Sequence, residues 1–114
     1  MNLPDPTNTR GIDLGQAHVR LVRDVLGLDD GELIRAFTPL AHTGRPSRTP
    51  AFVVYRARVI LALRHARVNG DGLSYNEIAS VTGFEDHNTM IHACHRAERA
   101  GAVTQLQIDT LRRG

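Results

Sequence analysis

The chain has 114 residues, 41% hydrophobic and 23% charged, a balance that fits one globular domain and excludes wholesale disorder. No run approaches the roughly 18 consecutive apolar residues of a membrane-spanning helix, and Met1–Pro6 has neither the basic nor the apolar region of a signal peptide, so a soluble cytoplasmic protein without membrane contact is expected. All fourteen basic residues are arginine, which excludes a Walker phosphate loop, a Schiff-base lysine and a kinase strand lysine, and no nucleotide partner is expected.

Positions 1–12 contain Pro4, Pro6, Asn8 and Gly11 and read as a flexible arm, leaving 13–114 as a single helical domain. From Asp13, the expected N-cap, the apolar residues Leu14, Ala17, Leu21, Val25 and Leu28 recur at helical spacing. Gly27 and Asp29-Asp30-Gly31 end that helix and open a short one, Glu32 to Phe37. Pro39 and His42-Thr43-Gly44-Arg45-Pro46-Ser47-Arg48 make a basic loop, and Thr49-Pro50 is a helix start, because proline at the first helical position loses no hydrogen bond.

From Pro50 to about Val68 no proline or glycine interrupts, and the apolar residues go all the way round the helix, which predicts a central one. Asn69-Gly70-Asp71-Gly72 stops it. Ser74-Tyr75-Asn76-Glu77 is a capping box opening a short helix, Thr82-Gly83-Phe84-Glu85 a tight turn, and Asp86 the cap of a helix running to Ala100, with Gly101 beyond it. A last short helix spans Thr104 to Leu111, and no strand or repeat is legible. The expected class is all-α, with a helix-turn-helix over 74–100.

Charge is unevenly spread. Between Glu32 and Asp71 no acid occurs, while Arg35, Arg45, Arg48, Arg56, Arg58, Arg64 and Arg67 do; the rest of the chain carries a net −5. One basic face follows from this, the electrostatic footprint of nucleic-acid binding, unless the arginines only solvate a helix. With Phe37, Phe52, Tyr55, Tyr75 and Phe84 as its only aromatics, the chain lacks the stacking platforms of single-strand binders.

A capped short helix, a glycine turn and a longer amphipathic helix form either a packing hairpin or a DNA reader. Met90, Ile91, Cys94 and Ala97 make the apolar stripe of the second helix. Asp86, His87, Asn88, Thr89, His92, His95, Arg96 and Arg99 lie opposite, and the first four sit at the end that enters a major groove. His87, His92, Cys94 and His95 are close in sequence, but Cys94 belongs to the apolar stripe, so neither a metal site nor a cofactor is expected. No nucleophile with a base and an orienting partner can be assembled, so no catalytic residue is assigned and the protein is read as non-enzymatic.

Tyr55-Arg56-Ala57-Arg58-Val59-Ile60-Leu61-Ala62-Leu63, then Ser74-x-x-Glu77-Ile78, Gly83-x-x-Asp86-His87-x-Thr89 and His92-Ala93-Cys94, resemble the C-terminal DNA-binding domain of the bacterial replication initiator DnaA, a Trp-repressor-like helix-turn-helix bundle. The match covers roughly 46–100 and is gapless from Ser74 to Arg96. The resemblance implies that Arg58 enters a minor groove, that Asp86, His87, Asn88 and Thr89 meet bases in the major groove, and that Arg45, Arg48, Arg56 and Ser74 contact phosphate. Glu85, Asn88 and Thr82 depart from the family's usual basic, threonine and aromatic residues, so the expected target differs from the family's nine-base box.

No counterpart of the initiator's ATP-dependent domain is present. The expectation is a nucleoid-associated double-stranded DNA binder of bacterial, phage or plasmid origin that regulates transcription or replication, with a second copy or a replication or transcription protein as further partner. The alternative is an interaction module that keeps the fold and no longer reads DNA.

Overall fold

Among the described residues the chain forms six helices: α1 (Pro6–Leu26), α2 (Asp30–Phe37), α3 (Pro50–His65), α4 (Tyr75–Thr82), α5 (His87–Arg99) and α6 (Gln105–Arg113). The structure, a computed structural model, describes the backbone of residues 6–83 and 87–114 and the side chains of 15–83 and 88–114. One isolated antiparallel bridge, Val68 with Asp71, is the only extended pairing among them. The all-α class expected from periodicity is the class observed.

Local chemistry sets most helix starts. The Asp29 carboxylate accepts from the Glu32 N–H at 3.0 Å and caps α2. Pro50 opens α3, whereas Thr49 makes no side-chain cap and shares its hydroxyl with Ser47 at 3.3 Å instead. α6 begins with a capping box of its own: the Gln107 N–H donates to Thr104 Oγ1 at 3.2 Å, and the Thr104 N–H donates to Gln107 Oε1 at 3.0 Å.

α2 opens at Asp30 and α6 ends at Arg113, each two residues outside the sequence reading, and two boundaries differ by more. α1 opens at Pro6, so positions 6–12, expected to belong to an arm, form its first turns and Asp13 falls inside the helix instead of capping it. Proline at that end again loses nothing, because the first helical N–H has no partner within the helix. α3 stops at His65 instead of continuing to Val68. There the Arg67 N–H donates to the Leu111 carbonyl at 2.9 Å, and Val68 turns to exchange hydrogen bonds with Asp71 at 2.9 and 3.0 Å. Arg67 Nη1 takes up the carbonyls of Arg64 and Ala66, each at 3.1 Å, so a side chain satisfies acceptors that a further turn would have used.

The core gathers around α3. Ala57, Val59, Ile60, Leu61, Ala62 and Leu63 are all buried, as a helix apolar on every side requires. Its first turns are the exception: Val54 is 62% exposed. α5 packs most extensively against α3, with α1, α4 and α6 completing the surround. His18 of α1 is fully buried and donates through Nε2 to the Asp71 carbonyl at 2.7 Å, since a carbonyl can only accept. This bond ties the loop before α4 to α1. The same two helices meet closely at Gly15, where any Cβ would run into Cγ2 of Val81.

Candidate nucleic-acid interface

The α4–α5 segment starts as its sequence dictates. Ser74 Oγ accepts from the Glu77 N–H at 3.2 Å, and the Ser74 N–H donates to Glu77 Oε1 at 3.0 Å, which closes the box in both directions. These bonds hold the Glu77 carboxyl below the usual carboxylate range, the backbone N–H of Ser74 contributing most and its hydroxyl next. Gly83 ends α4 in the left-handed conformation, φ 75°, which lets its N–H return to the Ala79 carbonyl at 2.8 Å. Phe84, Glu85 and Asp86, expected to form the turn and the next cap, lie outside the described residues, as does the side chain of His87.

α5 then divides cleanly. Met90, Cys94 and Ala97 are buried on one side, as the apolar stripe demands, with Ile91 half-buried at its edge. Asn88, Thr89, His92, His95, Arg96 and Arg99 are exposed on the other. His92 and His95, with Glu98 and Arg99, line an open depression along the helix. Ser74 is exposed at the start of α4, with its hydroxyl oxygen engaged by the capping box. Cys94 is a buried core thiol, and burial pushes it up to about 11, more than the hydrogen bond from Tyr75 lowers it. Among the described residues no group of three metal-ligating side chains comes together.

The acid-free stretch does not form one basic face. Of its seven arginines, four are bound to main-chain carbonyls. Arg56 is 5% exposed and donates from Nη1 to Ala36 at 2.9 Å and from Nη2 to Ser47 at 2.5 Å, clamping α2 and the basic loop to α3. The phosphate contact expected of it is therefore corrected: a side chain buried on two carbonyls is not presented to a duplex. Arg64 Nη1 donates to Leu73 at 2.7 Å and its guanidinium lies over the Tyr75 ring, 4.3 Å from the centroid. Arg67 closes the end of α3, and Arg58 donates from Nε to the Ala102 carbonyl at 3.0 Å. Arg35, Arg45 and Arg48 are exposed.

The expected readers also fall in two places. Arg64 acts electrostatically on Cys94, midway along α5, whereas Arg58 holds Ala102, beyond the C-terminal end of α5. Asn88 and Thr89 are at the other end. At 1.5 Å per residue, Asn88 and the Arg58 anchor are roughly 20 Å apart. Arg45 and Arg48 belong to the Arg58 end, because Arg56 pins their loop to α3. Four clamping arginines were not legible as such in the sequence. Their one visible trait is position, since Arg64 and Arg67 flank the end of a helix just before Asn69-Gly70, where carbonyls need donors.

Among the described residues no helix is long and apolar enough to cross a membrane. Comparison of the chain with protein-family models, with curated proteins and with solved structures gives no match.

Proposed function

We propose that the chain is a sequence-specific double-stranded DNA-binding protein with a Trp-repressor-like helix-turn-helix, resembling the C-terminal domain of DnaA, and that it regulates transcription or replication. The observation that carries this reading is α5: its apolar side is packed on α3, and its other side presents an amide, a hydroxyl, two imidazoles and two guanidiniums to solvent. Those are groups that pair with base edges and phosphates. Asn88 and Thr89, with Asp86 and His87 just before them, enter the major groove. The separation of roughly 20 Å to Arg58 is close to half a turn of B-DNA, about 17 Å, which supports a role for Arg58 at the neighbouring minor groove. There it acts through its Nη groups, its Nε being bound to Ala102. Arg45 and Arg48, and Ser74 at the start of α4, hold phosphates; Arg56 serves them by fixing the loop.

Selection of bound duplexes from a random pool tests the reading. A defined sequence should be enriched, and Asn88→Ala should weaken binding to it by about 1–3 kcal/mol while relaxing the preference for adenine at one position. The second reading, an interaction module that does not read DNA, is favoured by the exposed apolar residues Ile34 (65%), Val54 (62%) and Leu106 (72%). A pool that yields no enriched sequence, from a protein that unfolds cooperatively, supports this one instead.

A further inference from the structure

α3 and α6 end side by side, joined by the bond from the Arg67 N–H to the Leu111 carbonyl. At this pole Arg112 directs Nη2 at Nδ1 of His65, 3.2 Å away. A guanidinium can only donate, so Nδ1 accepts, and the ring is neutral with its proton on Nε2. Arg64 and Arg67 stand close by on the α3 side, and Glu98 faces the ring from α5. Burial lowers the proton affinity of His65 most, Arg112 next, with Arg67 and Arg64 adding and Glu98 opposing. The ion pairs among the described residues are those of Arg23 with Asp24 and Asp30, so none of these three arginines has a carboxylate in contact.

The attraction of cations to helix C-termini accounts for Arg67, which lies on the last carbonyls of α3. Arg112 is different: it is exposed, and its Nη2 goes to an imidazole. The two helix ends cancel roughly one unit of positive charge and Glu98 another, which leaves the cluster positive, with Arg113 exposed in the same turn.

We propose that Arg112 and His65, with Arg67 beside them, form an anion site for a phosphate oxyanion at the opposite end of α3 from Arg45 and Arg48. Arg112 offers the planar donor fork that matches a tetrahedral oxyanion. His65 adds a switch: when it takes a proton from solvent on Nδ1, that atom changes from acceptor to donor, Arg112 Nη2 turns to the anion, and the ring brings a positive charge. Anion binding and protonation of His65 therefore favour each other. The ligand is either free phosphate or a phosphodiester of a duplex, which share this chemistry. The donors of the site lie on α3 and α6 and not among the base-reading residues of α5, so it stands or falls separately from base reading.

The test follows the ring protons of His65 by NMR through a pH titration of the full chain at constant ionic strength. It is done alone, with inorganic phosphate, and with a short duplex. Phosphate, the duplex or both should raise the His65 midpoint by about half a unit or more, and Arg112→Gln should abolish the rise while Arg112→Lys restores part of it. A rise with the duplex alone assigns the phosphodiester, and a rise with phosphate alone assigns the free anion. A midpoint that neither ligand moves, or that moves equally in Arg112→Gln, overturns the proposal.

Discussion

At Arg56 two main-chain carbonyls, of Ala36 and Ser47, share one guanidinium, and burial lowers its proton affinity. Removing that side chain takes the donor from the buried Ala36 carbonyl and the part-buried Ser47 carbonyl and opens a cavity. Arg56→Ala should therefore destabilise by about 2–4 kcal/mol, seen as a lower urea midpoint. Arg56→Lys should recover only part of this, because an ammonium cannot span two carbonyls as a planar fork does. Glu77 makes the opposite kind of contribution, local and dependent on pH. Its carboxyl is held low by the Ser74 N–H, so its stabilisation is present above the ordinary carboxylate pKa of about 4.3 and is lost as pH falls through the lower folded value. Glu77→Ala should cost about 0.5–2 kcal/mol at neutral pH, and thermal melts of the two proteins should converge below about pH 4.

The helices show which parts of the architecture local chemistry determines. α2, α4 and α6 start at side-chain caps, Asp29, Ser74 and Thr104, that three or four neighbouring residues suffice to specify. The apolar stripe Met90, Cys94, Ala97 is likewise legible, because period 3.6 fixes which side of α5 turns inward. The end of α3 is not: it depends on Leu111, far along the chain, accepting from the Arg67 N–H. For the same reason the exposed side of α5 was legible and the exposure of the α3 arginines was not, because partners such as Ala36 and Ala102 decide which of them face solvent. The α1–α4 contact is also tertiary. Gly15→Ala should bring a methyl group against Val81 and destabilise by about 1–3 kcal/mol, and Gly15→Ala with Val81→Ala should recover much of the loss in a double-mutant cycle.

Across the whole molecule, positive charge is concentrated at the ends of elements. Arg45 and Arg48 stand in the loop pinned beside α3, Arg96 and Arg99 on α5, and Arg112 and Arg113 at the end of α6. With Arg56, Arg58, Arg64 and Arg67 bound to carbonyls, the acid-free stretch gives the surface fewer charges than its composition implies. The arginines given to the duplex, Arg45, Arg48, Arg58, Arg96 and Arg99, with Arg112 if a phosphodiester occupies its site, limit the number of phosphates the protein can neutralise. At about 0.9 per phosphate, the slope of log K against log salt should be no steeper than about −5.4. The most direct measurement is the affinity for a selected duplex by fluorescence anisotropy over a range of salt, for the wild type and for Arg45→Ala with Arg48→Ala. The account predicts a straight line with a slope made shallower by about 2 units in the double variant. Affinity that is flat in salt, or a slope unchanged by both substitutions, would contradict it.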